Sequence, residues 1–455
     1  MKIINPSNGE VIKDLVEDTR EGLQAKYESL PSGQKKWARV PLNERIGTMA
    51  RFADLLLKEK DHLAVILTSE TGKPIRESVG EVNAAAGKIQ FFLQESEKIL
   101  EKKKVHHEGN TEEFISYDPL GVIANISAWN YPYLVGVNIF VPALICGNSV
   151  FYKPSEFALL TGLEIHRLML IAGFPSDVFE IAIGGPTVGE ELLHLPLHGY
   201  FFTGSHKTGK YIASKVASKL VPVGLELGGK DPLYVTDEVN NVKKTAQAVA
   251  SGVFYNNGQS CCSVERLYVH QHIYDEFMKA FLEEVSTFVV GNPLEESTTH
   301  GAITRRAHLD YLKNQVDDAI SKGGVVKTGG HIIEGSGNFF EPTVIENASH
   351  EMMVMKEESF GPIIGVQKIF SDEEAIQLMN DTDFGLTASV YTSNQKRGEA
   401  ILNEINTGTT YLNCCDRVSA YVPWSGRGQS GLGSTLSPHG IYAFCHPKAW
   451  HVRHM

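Results

Sequence analysis

Two adjacent thiols, Cys261 and Cys262, follow the turn Asn256-Asn257-Gly258-Gln259-Ser260 and precede the strand-like run Arg266-Leu267-Tyr268-Val269. An ionised thiol is a strong nucleophile, and small or polar neighbours leave it reachable. We read Cys261 as the owner of the reacting atom. Cysteine also packs as a small buried hydrophobe; on this stretch alone both fates fit, and nothing in it separates Cys261 from Cys262. Two other groups bear on the choice. Asn130, in Ser127-Ala128-Trp129-Asn130-Tyr131-Pro132, offers a neutral amide donor, which steadies an oxyanion without disturbing a neighbouring thiolate; a turn Asn more commonly bonds its own backbone. Glu226, in Leu225-Glu226-Leu227-Gly228-Gly229-Lys230, is one carboxylate in an otherwise apolar strand end, where desolvation lifts a carboxyl toward the range of a general base. An ion pair with the nearby lysine is the plainer reading.

Two stretches suit a nucleotide. Lys153-Pro154-Ser155-Glu156 puts a cation and a carboxylate at one strand end, and a carboxylate can accept from both ribose hydroxyls; a surface ion pair would use the same residues. Gly204-Ser205-His206-Lys207-Thr208-Gly209 is a glycine turn opening a helix, and a helix N-terminus binds pyrophosphate readily. The G-x-G-x-x-G fingerprint is absent.

These groups need a scaffold that gathers them. Residues 1 to about 100 read as helical, with apolar positions three and four apart from Leu42 to Leu67. His106 to Ser116 is polar and extended, a candidate hairpin arm. Strand and helix then alternate from Gly121 to Leu227 and again from Pro232 to Asn413. Such alternation predicts parallel sheets covered on both faces, with ligands at the strands' C-terminal ends. Ser425 to Ser434 reads as a loop crossing back between domains, and Ala449 to Arg453 as a terminal strand open to pairing with another chain.

The chain has 455 residues, 42% hydrophobic and 21% charged, with net charge -12. That length predicts two or three domains, and the charge excludes an electrostatic nucleic-acid footprint. Six cysteines are too sparse for a disulfide framework and imply a reducing compartment, so we expect a cytoplasmic protein. The Cys-Cys doublets lack the spacing of metal ligands, so no metal is expected. The N-terminus has no secretory pattern. No charge occurs between Asp118 and Lys153; the prolines and asparagines within it predict a buried strand, helix and strand rather than a membrane span.

The chain resembles the aldehyde dehydrogenase superfamily. Trp129-Asn130-Tyr131-Pro132, Lys153-Pro154-Ser155-Glu156, Phe202-Thr203-Gly204-Ser205, Glu226-Leu227-Gly228-Gly229-Lys230, Gly258-Gln259-Ser260-Cys261, Glu358-Ser359-Phe360-Gly361-Pro362 and Pro423-Trp424-Ser425-Gly426 occur in the family's order. The resemblance implies a Rossmann-like cofactor domain, a second α/β catalytic domain and a small β oligomerisation arm. Its boundaries are 1–99 and 120–226 for the cofactor domain, 100–119 and 436–455 for the arm, 227–417 for the catalytic domain and 418–435 for the return crossing. It implies that Cys261 attacks, that Asn130 and the Cys261 backbone N–H hold the oxyanion, and that Glu226 activates the water that hydrolyses a thioester. Lys153 and Glu156 would hold the adenosine ribose, Trp129, Gly204 and Ser205 would lie near the pyrophosphate, Glu358 would hold the nicotinamide ribose and Phe360 would wall the nicotinamide. NAD is expected, since Glu156 repels a 2′-phosphate, with NADP also used by relatives carrying this Glu. A homodimer or homotetramer is implied. Trp424, Ser425 and Gly428 depart from the commonest pattern.

The expected activity is therefore aldehyde oxidation to a carboxylic acid; a thiol hydrolase or esterase, and a non-catalytic binding protein on the same scaffold, are the alternatives. The substrate pocket is expected around Tyr131, Tyr133, Ser260, Cys262 and the loop from Cys414 to Tyr421.

Overall fold

The computed structural model describes residues 1–415 and 417–455. Its first residues depart from the helical expectation: Lys2–Ile4 pairs antiparallel with Val11–Asp14. The turn between them carries Pro6 and Gly9, the latter at φ +79°, which ends any helical run. Helices follow: α1 (Arg20–Trp37), α2 (Leu42–Lys58), α3 (Lys60–Thr71) and α4 (Ile75–Leu100). Thr19 caps α1 by accepting the Gly22 N–H at 3.1 Å. Gly72, left-handed at φ +80°, stops α3, and Pro74 precedes α4.

The first sheet takes its strands in the order Gly431–Leu432, Val223–Leu227, Gly199–Gly204, Val122–Ile126, Ser149–Lys153, Phe179–Ile181. The last five run parallel. Strand order reverses beside Val122–Ile126, because the next strand in the chain lies on one side and a later one on the other. A crevice therefore opens at the C-terminal ends of Val122–Ile126 and Gly199–Gly204. The connecting helices are α5 (Pro132–Ile145), α6 (Leu159–Ala172), α7 (Pro186–His194) and α8 (His206–Val216). Every residue of α5 except Leu134 is buried, as are all five residues of Val122–Ile126 and of Ser149–Lys153. That accounts for the uncharged stretch: each apolar side chain there gains about 1.5–3 kcal/mol by leaving water. Among the described residues no helix is long and apolar enough to cross a membrane.

The second sheet has seven strands, centred on Ile363–Ile369, Arg266–His270 and Pro232–Val235. Neighbours in that core are parallel. Helix α9 (Val242–Phe254) connects Pro232–Val235 to the thiol turn. The segment expected to cross back touches both halves: Arg427–Gly428 pairs with Phe384–Gly385, and Gly431 with Glu226. The extended segment after residue 100 forms the expected hairpin, Lys103–Glu108 with Thr111–Pro119. Cys445–Arg453 joins it as a third strand with nine residue pairs.

Candidate active site

The thiol turn gets its shape from three consecutive left-handed residues at the end of α9: Asn256 at φ +49°, Asn257 at φ +56° and Gly258 at φ +68°. Asparagine tolerates this region better than other side chains, and here both amides are also used. Asn256 Nδ2 donates to the carbonyls of Asn130 at 3.3 Å and Gln259 at 3.0 Å; Asn257 Nδ2 donates to the Ala302 carbonyl at 3.3 Å. Gly258 is required twice over, since a Cβ there would also stand 2.2 Å from the Gly361 carbonyl oxygen. Gln259 is pinned through its Oε1, which accepts the Thr304 N–H at 3.0 Å. The turn leaves Cys261 on the wall of a cleft of about 1140 Å³, while Cys262 is turned into the core at 5% exposure.

The two thiols influence one another's ionisation. Contact with Cys262 and burial hold the Cys261 thiol high. The same contact pushes Cys262 down to about 6, with the Tyr255 hydroxyl 3.4 Å away. Such a pair titrates as a unit, so charge alone does not single out the nucleophile. Access does: Cys261 lines the cleft.

Asn130 is buried and aims Nδ2 at the Gln259 carbonyl, 3.2 Å away, leaving its second N–H for another acceptor. Its backbone is held by a buried ion pair that the sequence did not flag. Lys73 donates to the Asn130 carbonyl at 2.7 Å and to the Glu81 carboxylate, and its ammonium lies 3.6 Å from the centre of the Tyr131 ring. Glu81 Oε1 accepts the Tyr133 N–H at 2.9 Å at the start of α5, where a carboxylate suits the helix end. Lys73 and Glu81 read in sequence as a helix stop and a helix position; they are eight residues apart, and the packing of α4 on α5 is what sets the pair against Asn130 and Tyr133.

Glu226 sits at the end of its strand on the same cleft. Burial raises its carboxyl above the ordinary range, opposed by a hydrogen bond from Thr435 and by the charge of Lys88. The Thr435 hydroxyl donates to Oε1 and the Thr203 hydroxyl to Oε2 at 3.4 Å. Thr435 is 209 residues away in the chain and arrives through the pairing of Gly431 with Glu226, so no local signal announced it.

The remaining expected residues line the same cleft: Trp129, Lys153, Glu156, Gly204, Ser205, Glu358 and Phe360. Ser205 caps α8, which presents a helix N-terminus to the cleft. Lys153 is 4% exposed, and its ammonium donates to the Pro154 carbonyl at 3.2 Å, with no carboxylate within 4 Å among the described residues. Trp129 and Phe360 meet edge to face with ring centres 5.4 Å apart. Glu358 accepts the Gly229 N–H at 3.2 Å, and burial together with the Glu265 charge lifts it to about 8. Glu265, another residue the sequence reading passed over, accepts the N–H groups of Ser359 and Phe360, each at 2.9 Å, and the Lys230 ammonium at 2.5 Å. It thereby holds Phe360 at φ +48°. A long cleft at a strand-order reversal, with a helix N-terminus, a buried ammonium and two carboxylates, fits a dinucleotide.

The expected substrate side is corrected at several positions: Cys262 is turned into the core, Ser260 is 3% exposed, and neither lines the cleft, nor do Tyr131 and Tyr133. Tyr133 is 1% exposed and faces Tyr152, Glu70 and Glu81 within the core, because the side of α5 that carries it packs inward. The loop from Cys414 to Tyr421 includes Asp416, which lies outside the described residues.

Comparison with known proteins agrees over the full length. The model of the aldehyde dehydrogenase family matches residues 1–450. Succinate-semialdehyde dehydrogenase [NADP(+)] of Deinococcus radiodurans is 32% identical over 446 residues, 98% of this chain and 93% of that protein. The chloroplastic betaine aldehyde dehydrogenase of Beta vulgaris is 32% identical, over 96% of this chain and 90% of that protein. The solved structure of an indole-3-acetaldehyde dehydrogenase with NAD+ superposes with a TM-score of 0.96 at 30% identity, covering 100% of this chain and 94% of that one.

Proposed function

The chain belongs to the aldehyde dehydrogenase family and oxidises an aldehyde with NAD(P), and from that premise we propose that Cys261 is its nucleophile, Asn130 its oxyanion donor and Glu226 its general base. The observation that carries the reading is that Cys261, Asn130 and Glu226 open onto one cleft together with the dinucleotide-type groups.

The Cys261 sulfur attacks the aldehyde carbon, and the carbonyl oxygen becomes an oxyanion. The spare Asn130 N–H and the Cys261 backbone N–H stabilise it where charge develops, the kind of contact that lowers a barrier most. Lys73, Glu81 and Asn256 fix the peptide that carries Asn130, so the donor needs no reorganisation during attack. Bound NAD(P) supplies the hydride acceptor. Glu226, kept basic by burial and steadied by Thr435, then takes a proton from the water that cleaves the thioester on Cys261, and a carboxylic acid leaves. Lys153, Glu156, Ser205 and the α8 N-terminus would hold the adenosine and pyrophosphate parts, and Glu358 and Phe360 the nicotinamide end. Glu156 disfavours a 2′-phosphate, so NAD is the proposed cofactor.

The named substrates of the relatives, succinate semialdehyde and betaine aldehyde, suggest a small aldehyde. We infer the same division as the sequence reading: a cofactor domain on the first sheet, a catalytic domain on the second, and an arm (100–119, 436–455) through which copies assemble as a dimer or tetramer. A thiol nucleophile and sparse cysteines suit a reducing cytoplasm.

The assignment is tested with Cys261→Ala and Cys262→Ala. The first should lose aldehyde oxidation while binding NAD+ as before; the second should keep the chemistry. Activity in Cys261→Ala with a dead Cys262→Ala overturns it.

A further inference from the structure

Four lysines are buried among the described residues: Lys73, Lys88, Lys153 and Lys230. A buried charge is costly unless paired, and three of the four are accounted for. Lys73 pairs with Glu81 and Lys230 with Glu265; Lys153 lines the dinucleotide cleft. Lys88 is 9% exposed and has one hydrogen-bond acceptor, Asn138 Oδ1 at 3.1 Å. No carboxylate lies within 4 Å of it among the described residues, so two of its three N–H donors have no partner there.

Its position gives that vacancy a meaning. Asn138 lies on α5 four residues after Leu134, hence on the same face; Leu134 packs against the cluster that includes Cys262 and Ala420, as do Cys261 and Val418. On α4, Phe91 follows Lys88 by three residues and meets the Tyr421 ring at 5.1 Å. None of Lys88, Phe91, Leu134 and Asn138 belongs to the dinucleotide cleft. Lys88 and Asn138 meet between α4 and α5, Phe91 ties α4 to Tyr421, and Lys88 lies close enough to Glu226, Cys262 and Cys261 for their charges to act on its ammonium. Burial pushes the Lys88 ammonium down to about 8, with the charges of Glu226, Cys262 and Cys261 opposing, so at neutral pH it is mostly charged.

We propose that Lys88, with Asn138 beside it, is a specificity residue that binds the carboxylate of an aldehyde bearing a negatively charged far end. The proposal rests on the aldehyde-oxidation reading and narrows its substrate class to ω-carboxylated aldehydes, against neutral and cationic ones. The carboxylate occupies the unused N–H donors, and the aldehyde carbon then lies toward the Cys261 sulfur.

The test compares succinic and glutaric semialdehyde with butanal, pentanal and betaine aldehyde, using the full-length enzyme and NAD+. Wild type should prefer the semialdehydes. Lys88→Met should lose roughly 10- to 100-fold in kcat/KM for them beyond the loss it shows on butanal, chiefly through KM; any loss shared with butanal comes through Glu226, whose carboxyl the Lys88 charge holds down, and Lys88→Arg should keep most of the preference. Equal losses on butanal and the semialdehydes would assign Lys88 to Glu226 instead and overturn the proposal, as would a wild-type preference for neutral or cationic aldehydes. Succinate, which cannot be oxidised here, should raise the thermal midpoint of wild type and not of Lys88→Met. Protection by succinate without oxidation of any aldehyde would keep the anion site and sink the oxidation reading; oxidation without protection or preference would do the reverse.

Discussion

Replacing Thr435 by Val should slow hydrolysis of the acyl-enzyme without slowing its formation. Valine keeps the shape of threonine and removes the hydroxyl that donates to Glu226 Oε1. Burial already raises the Glu226 carboxyl, and this hydrogen bond is the largest influence holding it down. A hydrogen bond to a charged group is worth about 1.5–3 kcal/mol, and 1.36 kcal/mol corresponds to one pH unit. The sign is fixed: the bond favours the ionised form, so its loss raises the pKa and less base is ionised at a given pH. The acid limb of the deacylation rate should therefore move alkaline by about one to two pH units. On that limb, deacylation at fixed pH should fall roughly 10- to 100-fold. Rapid-mixing measurement of reduced cofactor separates the steps, because acylation appears as a burst and deacylation as the steady state. Thr435→Val should retain the burst rate and its pH profile, and Glu226→Gln should give a burst followed by turnover roughly 10²-fold slower or more. An unmoved acid limb in Thr435→Val, or loss of the burst in Glu226→Gln, refutes the role given to Glu226.

Gly258→Ala meets both a left-handed backbone and the Gly361 carbonyl at 2.2 Å; it should lower activity by more than tenfold and lower the thermal midpoint, and a variant with normal kcat would show that the turn does not position Cys261. Glu156→Gln should improve kcat/KM for NADP+ relative to NAD+ by roughly tenfold, on the order of one charge repulsion near the surface; an unchanged ratio removes Glu156 from cofactor choice. Full-length protein should sediment as a dimer or tetramer, and a chain ending at Pro447, which lacks most of the Cys445–Arg453 strand, should shift toward monomer; a monomeric full-length chain rejects the arm.

Much of this molecule was legible as a string because its signals are local. The strand Ser149–Lys153 and the strand Ile363–Ile369 follow from short apolar runs whose every neighbour in the chain agrees with them. Asn130, Glu226 and the pair Cys261 and Cys262 stand at strand ends and turns, where side chains emerge from a parallel sheet, so residue type and place in the chain were enough to mark them as candidates. The N-terminal hairpin was missed because its two strands are too short to carry a period of their own.

What the tertiary structure decided is whatever depends on pairs far apart in the chain. Only the left-handed turn, braced by Asn130, Ala302 and Thr304, tells Cys261 in the cleft from Cys262 in the core. Only the pairing of Gly431 with Glu226 brings Thr435 to the base, and only the packing of α4 on α5 sets Lys88 beside Asn138. A buried charge is defined by its surroundings, and in a chain of this length the surroundings of a residue come mostly from segments that are not its neighbours in sequence.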